Sequence, residues 1–196
     1  MNIQWQDFLA AQGAHFESAE ACGFGDPGAE LQAAATGTVL APLTSFRLIR
    51  ASGEEAAGFL HNLLSNDIQH LGRDRALRCG FCNPKGRLLA DFLIWRDSQG
   101  YLLQLSADIQ PAILKKLGMY VLRSKVKLSD AGNELIPIGI AGDEAAAVLQ
   151  SAELVVPAAA FDVSHVPGGA LVRLDDSRFQ LALEPDAAIR LWERLA

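Results

Sequence analysis

The sequence is short of the features that mark membrane, secreted or nucleic-acid proteins. It has three cysteines, too few and odd in number for a disulfide framework. No apolar run approaches the roughly 18 residues that a membrane span needs. The opening residues, Met1-Asn2-Ile3-Gln4-Trp5-Gln6-Asp7, contain no Lys or Arg and no apolar h-region, so they are not read as a secretory leader. Positive charge is also scarce: 17 Lys and Arg stand against 23 Asp and Glu, a net charge of −6. A broad electrostatic grip on nucleic acid or anionic lipid is therefore not expected, although Arg73, Arg75 and Arg78 offer a local basic patch. No G-x-S-x-G, Walker A, H-E-x-x-H or kinase signature occurs. These absences predict a protein of a reducing compartment, most simply the bacterial cytoplasm or an organelle matrix, with no membrane and no direct nucleic-acid partner.

Half of the 196 residues are hydrophobic and 20% are charged. A chain of this size can bury a substantial core without disulfides or metals. Residues 1–38 are read as an N-terminal arm, mobile unless docked, in which Trp5, Phe8, Leu9 and Phe16 mark a short amphipathic helix. From there the pattern sharpens. Thr44 to Ala51 alternates as a strand, Ser52-Gly-Glu-Glu55 looks like a capping box, and Ala56, Phe59, Leu60 and Leu63 share one helical face. Strands are expected at 75–82, 87–95 and 101–105, with turns at Asn83-Pro-Lys-Gly86 and Asp97-Ser-Gln-Gly100. Asp108 is placed to cap a helix running to about Leu117, followed by a strand from Lys125 to Leu128.

A second pass of similar order follows. It has a strand from Leu135 to Ala141, a helix from Asp143 to Gln150, a hairpin of Ala170–Leu174 with Phe179–Leu183, and a helix from Pro185 to Leu195. The repeated order predicts an α+β fold of antiparallel sheets with packed helices, in two related subdomains at 39–132 and 133–196. The chain stops at Ala196 on that last helix and is read as a truncated product.

Two short motifs are weighed and set aside. Gly23-Phe-Gly25-Asp-Pro-Gly28 satisfies G-x-G-x-x-G, but no strand is expected before it and Pro27 removes a donor, so a plain loop is preferred to a dinucleotide cradle. Cys79-Gly-Phe-Cys82 is a C-x-x-C on an expected strand, where an offset of three puts the side chains on opposite faces. It is read as a strand-end pair, with thiol redox or metal binding as the alternative. His15, His61, His70 and His165 show no metal-ligand spacing with these cysteines, and no metal site is expected. The polar residues singled out lie at strand ends and turns: Asn66 and Asp67, Asn83 to Arg87, Asp91, and Arg123-Ser-Lys125. Asp91 stands out in the apolar run Leu88-Leu-Ala-Asp-Phe-Leu-Ile94. It either faces solvent or needs a partner.

Phe59-Leu-His-Asn-Leu-Leu-Ser-Asn-Asp67, Cys82-Asn-Pro-Lys-Gly-Arg87 and Leu114-Lys-Lys-Leu-Gly-Met-Tyr-Val-Leu-Arg-Ser-Lys-Val126 resemble the folate-binding YgfZ family, and Ile138-Gly-Ile-Ala-Gly142 also fits. That family is related to the aminomethyltransferase T-protein of glycine cleavage. The resemblance covers residues 40–195 and is most specific from Tyr120 to Val126. It implies α+β subdomains around a tetrahydrofolate site and a role in iron–sulfur cluster assembly or repair. Iron–sulfur client or assembly proteins would be its partners, and tRNA modification would be reached indirectly. Phe46 falls where the family sets an aromatic residue against the folate. The expected folate site comprises Phe46, Asn66, Asp67, Lys85, Arg87, Asp91, Arg123 and Lys125, with Lys85, Arg123 and Lys125 inferred to meet the glutamate carboxylates.

Two departures accompany the resemblance. The family's Lys-Gly-Cys-Tyr-x-Gly-Gln-Glu motif is absent and would lie beyond Ala196, with a C-terminal subdomain. Ala90-Asp91 stands where T-proteins carry a carboxylate pair. The preferred reading is therefore a folate-binding protein that is not a conventional enzyme, with folate-dependent aminomethyl transfer as the alternative.

Overall fold

Each five-stranded sheet of this protein is built from one three-stranded meander with two further strands laid against it, and the same plan occurs twice. A computed structural model describes residues 2–18 and 20–196. In chain order the elements are α1 (Ile3–Ala11), β1 (His15–Glu17), β2 (Glu20–Gly23), α2 (Pro27–Thr36) and β3 (Val39–Pro42). Then come β4 (Phe46–Ser52), α3 (Ala56–Leu63), β5 (Leu77–Cys82), β6 (Leu88–Arg96), β7 (Tyr101–Ser106), α4 (Gln110–Val121) and β8 (Lys127–Asp130). The chain closes with β9 (Ile136–Ala141), α5 (Ala145–Ser151), β10 (Val163–Val166), β11 (Gly169–Arg173), β12 (Arg178–Leu183) and α6 (Pro185–Leu195). Two compact units result, Ser45–Ala131 and Met1–Thr44 with Gly132–Ala196.

The contiguous unit holds the antiparallel sheet β5-β6-β7-β4-β8. Alternation decides its layers. Ile49, Ala51, Phe92, Ile94, Leu103 and Leu105 point to one face, where α3 adds Phe59 and Leu60 and α4 adds Ile113 and Leu117. The other unit holds β10-β11-β12-β9-β3. Its order matches the first sheet strand for strand, with β3 in the place of β8. Ile136, Ile138 and Ile140 of β9 bury with period two, and Ala145, Leu149, Ala188 and Trp192 cover them from α5 and α6. The α+β class of antiparallel sheets expected from the sequence is borne out, and β3, expected in the first subdomain, belongs to the second sheet.

Three local readings are corrected. Residues 1–38 are not an arm. Asn2 caps α1 by accepting from the Trp5 N–H, and Trp5 and Leu9 are fully buried in the core of the discontinuous unit. There Trp5 meets Trp192 edge-on at 5.5 Å, and Phe24 stacks on the same Trp192 at 5.8 Å. Ser52 and Glu55 form no capping box, because Ser52 belongs to β4 and pairs with Lys127. Gly53, at φ +114°, turns the chain so tightly that a Cβ there would meet the Lys125 carbonyl, and Glu55 accepts the Lys125 N–H instead. Asp108 does not cap α4; it accepts from Ser106 Oγ at 2.6 Å and from the Ile109 N–H.

Among the described residues no helix is long and apolar enough to cross a membrane. Since Trp5 is a core residue, Trp5→Ala is expected to cost about 3–5 kcal/mol. Urea unfolding followed by circular dichroism measures this, and an undocked arm would give no change.

Candidate functional site

Strand register brings two of the expected site residues onto one line. Phe46 on β4 lies opposite Ser106 on β7. The β6–β7 ladder ends at the pair Leu93–Gln104, and Asp91, two residues back along β6 on the same face, pairs with Gly80 on β5. The pairs Phe46–Ser106 and Asp91–Gly80 thus form a row at one end of the sheet, on the face turned away from α3 and α4. Phe46 and Asp91 are two strands apart on it, about 10 Å. Phe46 is 37% exposed. The Asp91 carboxylate is open to solvent, 3.9 Å from the equally exposed Arg78 guanidinium, a pair that adds little to stability. Asp91 therefore takes the solvent-facing option. Ser106 supplies the row's hydroxyl and holds the Asp108 carboxyl below the usual carboxylate range.

The row's surroundings account for other expected residues. The β5–β6 turn lies at the same end of the sheet as Phe46. Asn83 Oδ1 accepts from the Lys85 and Arg87 N–H groups, and Gly86 adopts φ +76°, which leaves both cationic side chains exposed. Asn66 Nδ2 donates to the Arg78 carbonyl at 2.9 Å, so Asn66 sits at the sheet edge beside Asp91's neighbour. Asp67 turns elsewhere. It meets His70 Nδ1 at 2.7 Å and lies 3.4 Å from His61 Nδ1 without hydrogen-bond alignment. The hydrogen bond from His70 holds its carboxyl below the ordinary range.

Arg123 and Lys125 are not brought to this row. They lie on the α4–β8 link, and Lys127 pairs with Ser52, the far end of β4 from Phe46. Six residues of strand separate the ends, about 20 Å. The assignment of these two cations to a ligand resting on Phe46 is accordingly revised.

Both short motifs can now be judged. A strand does precede Gly23, contrary to expectation, and α2 follows. That strand belongs to a two-stranded antiparallel ribbon, and carboxylates occupy the loop. Glu30 takes the Phe24 N–H at 2.7 Å, and Asp26 takes those of Gly28 and Ala29. An anionic phosphate would meet filled donors and like charge. In the C-x-x-C, Cys79 is buried and Cys82 exposed, and all three cysteines are free thiols. Burial, helped by the nearby Asp91 charge, pushes the Cys79 thiol up to about 12. It is a core thiol, not a nucleophile. Among the described residues no group of three or more His, Cys, Asp or Glu side chains could hold a metal ion.

A separate cleft opens between α3 and the α4–β8 link. It spans about 500 Å³ beside Phe59, Leu63 and Tyr120 and continues into an outer part of about 700 Å³ at Leu122 and Arg123. Leu122 adopts φ +45°, strained for a residue with a Cβ by about 1–3 kcal/mol. Sequence reasoning missed Ser106, which belongs to no motif, and Gly80, which was read only as part of the C-x-x-C; both join the site through register.

The GCVT N-terminal domain family matches residues 7–172. The chain belongs to that family. The chain is similar to a tRNA-modifying protein YgfZ of Pectobacterium carotovorum subsp. carotovorum (strain PC1). It is 25% identical over 167 residues, 84% of this chain and 50% of that protein. An iron-sulfur cluster assembly factor IBA57 homolog, mitochondrial, of Mycosarcoma maydis is 30% identical over 128 residues, 58% of this chain and 32% of that one. The glycine cleavage system aminomethyltransferase T of Bartonella henselae shares the fold at a TM-score of 0.84 and 19% identity, over 100% of this chain and 56% of its own. The chain thus spans about half the length of the YgfZ relative and the aminomethyltransferase. The resemblance drawn from Phe59–Asp67, Cys82–Arg87 and Leu114–Val126 is borne out.

Two outcomes follow for these groups. Iodoacetamide at pH 8 is expected to label Cys22 and Cys82 in the native protein and Cys79 only after denaturation, as read by mass spectrometry. For Asp67, a lowered carboxyl means that its contribution to stability is present above the usual carboxylate range and disappears as pH falls through the folded value. His70→Ala should return the Asp67 titration upward, which carboxyl-detected NMR reads directly.

Proposed function

We propose that the protein binds tetrahydrofolate and supports iron–sulfur cluster assembly or repair, and that it acts on tRNA modification through iron–sulfur enzymes. One observation carries the reading: relatives named for tRNA modification and for iron–sulfur cluster assembly both align with this chain, the former over 84% of it. The row on the contiguous unit fits such a ligand chemically. A pterin or benzoyl ring stacks on an exposed aromatic such as Phe46. An ionised Asp91 accepts hydrogen bonds from ring N–H groups, with Asn66 at the edge nearby. Gly80 carries no side chain, and Lys85 and Arg87 offer charge-assisted bonds to glutamate carboxylates. Iron–sulfur client or assembly proteins are the partners this role requires, in a reducing compartment such as the bacterial cytoplasm.

A second reading, folate-dependent aminomethyl transfer, is favoured by one detail. Consecutive strand residues face opposite ways, so Ala90 is buried in the core while the outward position carries the carboxylate of Asp91. Ala90 therefore does not remove an acid from the open face.

Calorimetric titration of tetrahydrofolate into the chain tests the first reading. Saturable binding, weakened at least tenfold by Phe46→Ala in a variant with an unchanged melting curve, is expected. No heat from a folded chain would overturn it. Turnover dependent on ammonia and a lipoyl carrier would replace it with the second.

A further inference from the structure

We propose that Leu88 is a second ring platform of the site on the open sheet face. Its ligand is then a molecule of two linked ring systems, one lying on Phe46 and the other on Leu88, with Asp91 between them. The inference rests on the folate reading and deepens it, since it assigns a role to a residue that no motif marks.

The glycine at position 80 reveals where Leu88 goes. Gly80 gives its N–H to Ser65 Oγ at 2.7 Å, and its carbonyl accepts the Ser65 N–H at 3.0 Å. Both backbone groups therefore point to the outer edge of β5, and Gly80 with Asp91 is a non-hydrogen-bonded pair, the closer kind at about 4.5 Å between Cα atoms. A Cβ on Gly80 would share the face of Asp91 and stand 2.7 Å from Leu88 Cδ1. The leucine thus lies across the bare glycine, next to the carboxylate. On a regular strand, residues three apart point to opposite faces. The ladder shift between Phe81 and Cys82 removes that opposition, because Cys82 pairs with Leu88 where an unbroken ladder would pair it with Leu89.

Leu88 is 61% exposed. One exposed leucine is ordinary on a surface, but this one is aimed. The Asn83 N–H donates to the Arg87 carbonyl and the Gly86 N–H to the Asn83 carbonyl, both at 2.9 Å, so the turn fixes the start of β6 just before Leu88. Phe46 on β4 and the tip of Leu88 over β5 stand on opposite sides of Asp91, three strand spacings apart, about 14 Å. One fused ring does not cover that span, whereas two ring systems joined by a short linker do. The pteroyl group of a folate has this form. Its pterin would lie on Phe46 with an edge to Asp91, and its benzoyl ring on Leu88. The glutamate attached to the second ring would then emerge at the turn carrying Lys85 and Arg87, and residues 80–90 hold these two cations and no acid.

The test combines calorimetry with methyl-detected NMR on the whole chain. Leu88→Ala, at an exposed position, should leave the melting curve unchanged and weaken tetrahydrofolate about tenfold, the worth of burying one leucine side chain. Gly80→Ala should weaken it comparably, since the new methyl displaces Leu88, and Leu88→Met should keep most of the affinity. In the wild-type chain, saturating tetrahydrofolate should shift the Leu88 methyl signals upfield by ring current. 6-Methyltetrahydropterin at millimolar concentration, which has the first ring system alone, should leave them in place. Unmoved Leu88 methyls at saturating tetrahydrofolate, or undiminished affinity in Leu88→Ala, would overturn the platform and leave the folate reading standing. Equal shifts with the pterin alone would overturn the two-ring assignment. No tetrahydrofolate binding by the wild-type chain would overturn both readings together, so the two failures are told apart.

Discussion

The two-residue period of the sheet in the contiguous unit is the constraint on which the rest depends. It sends Ile49, Phe92 and Leu103 inward under α3 and α4, and it sends Phe46, Asp91 and Ser106 to the opposite face. The same rule separates Ala90 from Asp91 and Cys79 from its exposed neighbour Arg78. Slipping β6 by one residue would bury Asp91 and turn Phe92 outward at Asp91's exposed position, so the apolar set locks the register and, with it, the polar row. The functional face is in this sense a by-product of core packing. The chain disturbs the period between Phe81 and Cys82, where the ladder shifts just before the Asn83 turn.

Several acidic side chains serve the backbone in this protein. Asp26 and Glu30 occupy the loop before α2, Glu55 fastens the entry to β8, and Asp175 accepts from the Ser177 and Arg178 N–H groups in the β11–β12 turn. A loop whose donors are already taken is closed to phosphate, which is why the glycine pattern at 23–28 carries no nucleotide chemistry. Charge counted from composition does not reveal this, because it cannot distinguish a carboxylate facing solvent from one bonded to the main chain.

The first meander, the β11–β12 hairpin, α3, α6 and the family membership were legible because strong alternation or helical spacing repeats over several residues, whereas β10 (Val163–Val166) was not read as a strand. Other elements left weaker traces. In β3 every position is half-buried and the strand ends at Pro42, so no alternation shows. The helix α2 buries none of its residues and has no apolar face to detect. Docking of α1 depends on Trp5 and Leu9 meeting Trp192, a contact almost the whole chain away. At the site, Phe46, Asp91 and the basic turn were identifiable as residues. Their alignment through Ser106, and the remoteness of Arg123 and Lys125, follow from which residues pair across strands, and one sequence does not encode that in any local pattern.

The place of β3 has a consequence for the order of assembly. Its pairing with β9 joins Val39 to Ala141, with the entire contiguous unit emerging in between. During synthesis, Ser45–Ala131 can complete its sheet from its own sequence, whereas β3 must wait as an unpaired edge until β9 leaves the ribosome. Closing so long a loop is entropically cheaper once the intervening chain has already condensed into a compact body. The chain order thus lets the unit carrying the candidate site complete its sheet from contiguous sequence before the other sheet has all of its strands.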